Sequence, residues 1–317
     1  MQSISGTPDT ASEPSMIDYK ITPKVIYGKG QITQDGKEVT RDLWMDVYEP
    51  LEKSSHARPA VILTFGGSFH RGSPRHTFLE AGVQDTSMGD YGRKLAARGY
   101  VCFVIDYRLA PEHPKPDRQG YTDDALDMDS LRNPLLIERL NTIRKIMDLE
   151  PIDDESHGLL VDAILSAAED LYKAINYIRE SADRIHVDPG KIAIGGFSAG
   201  AATSLNVAYG MHAPVAAVFM LSAGIGGFDI LNTLTEAPNT PPLLMIQGQY
   251  DLEGVLLGTP VLLRHLQRIN LEHALVWVPG FGHFYPAGAS SLGFNGSRTS
   301  VEERIVDFLG KVIPVPG

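Results

Sequence analysis

The chain has 317 residues, 43% of them hydrophobic and 21% charged, which is enough material for one large core and an added lid. Its net charge of −11, with no basic run to meet a phosphate backbone, argues against nucleic acid as a partner. No apolar stretch approaches the roughly 20 residues of a membrane-spanning helix. No CxxC, HExxH, EF-hand-like or P-loop spacing occurs, so metal and nucleotide readings find no support.

The N-terminus, MQSISGTPDTASEPSMIDYK, has neither a basic start nor an apolar run, and the expectation is a cytoplasmic protein without a secretory signal. Residues 1–18, rich in Ser, Thr, Pro and Asp, are expected to be flexible, with a catalytic domain over 19–317. Strand-like runs then follow at 24–28, 43–49, 60–66, 100–107, 191–197, 216–223, 243–248 and 274–280. The later runs are continuously apolar, the pattern of strands covered on both faces in a parallel sheet. Cys102, the only cysteine, lies inside one of them (YVCFVIDY), where a buried inert thiol is expected.

Helical spacing falls between the strands. Residues 88–98 close on basic residues and Gly99, and Leu160, Ile164, Ala167, Ala168, Leu171, Ile175 and Ile178 form a long stripe. Residues 256–266 and 301–312 repeat the pattern. Strand and helix alternating over this length predict an α/β fold. Segment 117–157 breaks the alternation: it has no strand signal, one helical stripe (Leu136, Leu140, Ile143, Met147), and 11 acidic against 5 basic residues. We read it as an insertion over the fold, with a solvated surface excursion of no functional role as the alternative. Carboxylates at the mouth of a site would repel anionic substrates.

The stretch KIAIGGFSAGAATSLNVAYG (191–210) runs from an apolar strand into an alanine-rich helix, with Ser198 at the bend and Gly196 and Gly200 on either side. A nucleophilic serine must project its Oγ from a sharp strand-to-helix turn, and strand and helix approach so closely that only small residues fit two positions away. The helix from Ala199 also points its N-terminus at the site, which favours developing negative charge. Such a serine needs a base, and the base an orienting carboxylate. Three histidines qualify, His265, His273 and His283; only His283, in PGFGHFYP just past the last strand, sits in a loop. The acid candidates are Asp229, Glu236, Asp251, Glu253 and Glu272. Asp251 directly follows the strand LLMIQG at the sheet edge where ligand loops gather, with Glu253 as runner-up. Upstream, Gly66-Gly67 in AVILTFGGSFHRGS would let backbone N–H groups approach a substrate oxygen.

These residues resemble the α/β-hydrolase superfamily, and within it the hormone-sensitive-lipase-like carboxylesterases. FGGSFHRGS (65–73) is similar to that family's H-G-G-G-x-x-x-G-S loop, with Phe65 in place of histidine and Ser68 in place of the third glycine. DYRLAPEHPKP (106–116) and DPGKIAIGGFSAG (188–200) are similar to two further family segments. The resemblance runs from about residue 58 to the C-terminus. It implies an α/β-hydrolase fold, with about eight mostly parallel strands flanked by helices. The family's cap is built largely from an N-terminal extension; here little precedes the first strand, and segment 117–157 is expected to take over as an inserted helical lid. It also implies esterase activity on a small-molecule ester without a cofactor, with Ser198 as nucleophile, His283 as base and Asp251 as orienter. The oxyanion donors it carries over are the N–H groups of Gly67, Ser68 and Ala199. Phe69, Phe197, Phe284 and Tyr285 lie beside site residues in sequence and are candidates for lining the pocket or for packing. Two alternatives stay open: an amidase of aminopeptidase-like type, which would hold the substrate amine on an acidic pair, and a non-catalytic binding module of the same fold.

Overall fold

A computed structural model of the protein describes residues 16–235 and 240–316; the expected flexible segment therefore lies, over residues 1–15, outside the described residues, as does Glu236. Eleven strands form one sheet: β1 (Tyr19–Gln34), β2 (Lys37–Pro50), β3 (Arg58–Thr64), β4 (Val101–Ile105), β5 (Pro114–Lys115), β6 (Val187–Phe197), β7 (Ala217–Leu221), β8 (Leu243–Gly248), β9 (His273–Val278), β10 (Ser290–Gly293) and β11 (Arg298–Ser300). Their order is β11-β10-β9-β8-β7-β6-β3-β4-β2-β1-β5. All eight predicted strands are present, but the sheet is larger and more mixed than expected. Its centre, from β4 to β9, is parallel, and the flanking pairs are antiparallel. The three missed strands are two to four residues long, too short to show a period, and two of them carry serine, threonine and glycine.

Among the described residues seven α-helices accompany the sheet: α1 (Met88–Ala96), α2 (Pro134–Ile146), α3 (Asp154–Glu180), α4 (Ala199–Leu205), α5 (Ile230–Thr233), α6 (Glu253–Arg268) and α7 (Val301–Val312). Helices α1 and α7 touch each other, as do α3 and α4, and the two pairs share strands: β3 meets both α1 and α4, and β7 meets both α7 and α4. The continuous apolar runs are explained by this double cover: every residue of β3, β4, β7 and β8 is buried. Cys102 sits in that core, and burial pushes its thiol pKa well up, out of the range of a reactive thiol. Among the described residues no helix is long and apolar enough to cross a membrane.

One buried charge cluster ties distant parts of the chain together. Arg108, wholly buried, donates from Nε and Nη2 to Asp170 on α3 and from Nη1 to the carbonyls of Gln31 and Lys115. Gly30 makes room for it, since a Cβ there would lie 2.5 Å from Arg108 Nε. The neighbouring Glu169 accepts the N–H groups of Asp117 and Arg118, at 2.8 and 2.7 Å, and the Tyr121 hydroxyl at 3.0 Å. The root of the 117–157 segment is therefore fastened to α3 by one carboxylate. Removing one partner from such a cluster strands the others without water. Glu169→Ala is expected to destabilise the protein by about 2–4 kcal/mol in urea denaturation, with the first proteolytic cuts falling near residues 117–133; an unchanged midpoint would show that the cluster does not hold this root.

Candidate active site

Ser198 stands between β6 and α4 with φ 52° and ψ −118°, a left-handed conformation that an L-residue adopts only under constraint. The constraint comes from the neighbouring strand. A Cβ on Gly196 would lie 2.3 Å from the Thr64 carbonyl oxygen, and one on Gly200 only 2.0 Å from it. The Ser198 N–H donates to the Leu221 carbonyl at 2.8 Å, which ties the turn to β7. The bend thus lifts the serine side chain off the C-terminal edge of the sheet, where it is half-buried.

His283 and Asp251 meet it there. His283 Nε2 is 2.9 Å from Ser198 Oγ, and His283 Nδ1 is 2.6 Å from Asp251 Oδ1. A carboxylate only accepts, so Nδ1 carries the proton, Nε2 is left with its lone pair, and the serine hydroxyl donates to it. Asp251 also accepts the N–H of Leu252 at 2.8 Å and of Gly248 at 3.2 Å, which fixes both of its oxygens. Both side chains are buried. The two loops fit because Gly248 lacks a side chain: a Cβ there would lie 1.9 Å from the Gly282 carbonyl oxygen. The competing candidates are engaged elsewhere. His265 meets the Leu234 carbonyl, His273 the Leu271 carbonyl, and Asp229 caps α5. Glu253 points to solvent at the start of α6.

The loop after β3 carries Gly67 at φ 125°, Ser68 at φ 57° and Phe69 at φ 59°. Ser68 therefore occupies a left-handed position, which is a physical reason for glycine there in the resembled family. The carbonyls of this loop are held from behind. The Tyr107 hydroxyl donates to the Phe65 carbonyl at 2.9 Å and the Ala110 N–H to the Phe69 carbonyl at 2.8 Å, while the N–H groups of His70 and Arg71 both reach the Gly67 carbonyl. The Phe65 ring stacks on Tyr107 at 4.4 Å, so an aromatic contact anchors the loop where the family has histidine. His70 Nδ1 adds a bond to the Ser68 carbonyl at 2.8 Å. With the carbonyls engaged, the N–H groups of Gly67 and Ser68 have no backbone acceptor among the described residues.

Of the four aromatic candidates, Phe197 and Phe284 flank His283, each with ring centroids 5.1 Å away. Phe69 is buried in the loop. Tyr285 turns into the core, where its hydroxyl donates to the Ile246 carbonyl and accepts from Ser222. Sequence reasoning did not single out Phe78, which meets Phe284 at 5.8 Å, or the short hairpin pairing Leu79–Glu80 with Val83–Gln84. No motif marks either one. Helix α2 lies over them: Arg139 sits 6.0 Å above the Phe284 ring and ion-pairs with Glu80 at 3.0 Å, and Arg144 donates to His70 Nε2 at 3.3 Å.

Ten of the 11 acidic residues of the 117–157 segment are exposed and only Asp127 is half-buried. Asp153 and Glu155 border a cavity that His70 and Arg144 also line, while Arg139 and Arg144 of α2 are half-buried and meet Phe284 and His70.

A family model described as an alpha/beta hydrolase fold matches residues 163–252, from α3 through the serine turn to Asp251. Among solved structures, esterase 2 of Thermogutta terrifontis phosphoramylated by tabun superposes with a TM-score of 0.59 at 15% identity, covering 96% of this chain and 98% of that one. The same esterase phosphorylated by paraoxon gives 0.56 at 16% over 96% and 98%, and its propionate-bound form 0.56 at 16% over 95% and 96%. No curated protein matches in sequence. The chain has the α/β-hydrolase fold. The resemblance to the hormone-sensitive-lipase-like branch, read from its three motifs, is borne out.

Asp85 lies near His283 but takes no part in the arrangement above. Its carboxylate accepts the Phe78 N–H at 2.7 Å, and burial raises its pKa from 3.8 to about 6, against the lowering effects of that hydrogen bond and of His283. A raised carboxylate pKa makes folding less favourable as pH climbs through the folded value, and the penalty vanishes below the unfolded one. Asp85→Asn, which keeps an acceptor for Phe78, is therefore expected to gain stability on the order of 2 kcal/mol at pH 8 and less at pH 5. Thermal melts at both pH values check this; a gain that grows toward low pH would contradict the assigned charge penalty.

Proposed function

We propose that the protein is a serine carboxylesterase that hydrolyses carboxylic esters through an acyl-enzyme. The observation that carries this reading is the continuous hydrogen-bonded line from Ser198 Oγ through His283 to Asp251, set beside a loop with free N–H groups. It is supported by the esterase neighbours, whose structures are described as propionate-bound and as phosphorylated by paraoxon.

In this reading His283 Nε2 takes the Ser198 proton as Oγ attacks the ester carbonyl. The carbonyl oxygen becomes an oxyanion that receives the N–H groups of Gly67, Ser68 and Ala199, reinforced by the N-terminus of α4. Collapse of the intermediate expels the alcohol, protonated by His283, and leaves an acyl group on Ser198. Water deprotonated by the same histidine attacks that ester, the acid leaves, and Oγ regains its proton. Asp251 stays ionised; its role is to hold the Nδ1–H tautomer and to balance the imidazolium. No step calls for a cofactor.

Segment 117–157 is assigned the role of lid, on the strength of α2 resting on Phe284 and on the hairpin at Glu80. Phe197 and Phe284 are assigned to the pocket wall.

Hydrolysis of p-nitrophenyl acetate, butyrate, octanoate and palmitate tests the proposal. Activity is expected to peak at short chains. Ser198→Ala should lower kcat by about 10⁶ and Asp251→Asn by about 10⁴. Retention of most activity in Ser198→Ala would overturn the nucleophile assignment. Turnover of no ester by the folded protein would overturn the function.

A further inference from the structure

Two guanidinium groups sit beyond His283, Arg139 one aromatic ring away and Arg71 two, and among the described residues only Arg139 has a carboxylate partner. Arg71, in the loop that follows Ser68, stacks on the Phe78 ring with its guanidinium carbon 5.0 Å from the centroid. Arg139 of α2 stacks on Phe284. Those two rings touch each other, and Phe284 stands edge-on to His283. Arg139 is held at both Nη atoms by Glu80, at 3.3 and 3.0 Å. Arg71 makes no side-chain hydrogen bond or ion pair among the described residues. Its Nε is buried and unpartnered, as is the Nε of Arg139. Burial, and then the like charge of Arg139, lower the Arg71 guanidinium from its ordinary value, while Glu80 offsets this only in part.

The other charges nearby do not cancel it. Asp85 is turned to the Phe78 N–H, and His76 meets the edge of the Phe78 ring, with its own pKa lowered by burial and then by Arg71. A half-buried cation without a partner beside a like charge is costly unless something anionic joins it. Guanidinium is the side chain whose planar fork matches a carboxylate. The exposed acids of the lid repel such a ligand only at long range, through solvent where salt screens them.

We propose that Arg71, with Arg139 beside it, forms a subsite for a carboxylate on the substrate, so that the preferred substrates are esters bearing a second, free carboxyl group. This rests on the esterase reading and adds a substrate class to it. The free carboxylate docks on the Arg71 fork at the outer rim of the Phe78–Phe284 pair while the ester carbonyl lies at Ser198. Arg139 adds charge and keeps Glu80 away from Arg71.

The experiment compares kcat/KM, by pH-stat, for matched anionic and neutral esters. Monomethyl glutarate, adipate and suberate are set against methyl pentanoate, hexanoate and octanoate, and 4-acetoxybutanoate against butyl acetate, so that a carboxylate on the acyl side is told from one on the alcohol side. At one or more lengths, on one of the two sides, the anionic ester is expected to be preferred by about tenfold or more. Arg71→Leu should lower that anionic-to-neutral ratio about tenfold, Arg71→Lys should lower it less, and added salt should erode it in the wild type. Because the ratio is taken within one protein, partial loss of folded material cancels from it. Hydrolysis of the neutral esters with no anionic preference, or with a ratio that Arg71→Leu leaves unmoved, overturns the subsite while leaving the esterase standing. Hydrolysis of none of the esters overturns both.

Discussion

At the end of β3 the Thr64 carbonyl oxygen reaches so close to the Ser198 turn that neither position 196 nor position 200 can carry a side chain. The rest of the site depends on that approach. It allows β6 to break sharply into α4, it forces Ser198 into left-handed backbone, and it starts the loop of Gly66 to Phe69 against the serine turn. The strain stays local because the parallel strands on both sides are fully buried and cannot give way. A second close approach, Gly248 against Gly282, does the same for the carboxylate and the histidine. Backbone packing at two points therefore sets the side-chain geometry at three.

Around this centre the chain uses buried charge as a fastening. Arg108 joins β1, the loop beyond β4 and α3, and the adjacent Glu169 fixes the root of segment 117–157. These residues explain the DYRLAPE motif in physical terms: Tyr107 and Ala110 hold the Phe65–Phe69 loop from behind while Arg108 locks the motif itself to α3. One short segment thus links the root of segment 117–157 to the loop that carries the N–H groups of Gly67 and Ser68.

Much of this was legible in the sequence, for identifiable reasons. The eight predicted strands are long, apolar and bounded by turn residues. Ser198, Asp251 and His283 lie where strand ends and glycine-flanked loops must place them. The burial of the charges in segment 117–157 was not legible. Composition gives the segment a net acidic character, but only the fold leaves most of its carboxylates exposed and packs Arg139 and Arg144 against Phe284 and His70. Phe78, Arg71 and the hairpin under α2 likewise carry no periodic or motif signal, because their role comes from tertiary contact alone. The extra antiparallel strands escaped for a simpler reason: two to four residues are too few to establish a period.

The central claim is that Ser198 is the nucleophile, activated through His283. Stoichiometric labelling with paraoxon tests it most directly, because the phosphoryl group stays on the attacking oxygen. The wild type is expected to release one equivalent of p-nitrophenol, and peptide mass mapping should place a single diethylphosphoryl group on Ser198. No adduct on the folded protein, or an adduct on another residue with Ser198 free, would contradict the account.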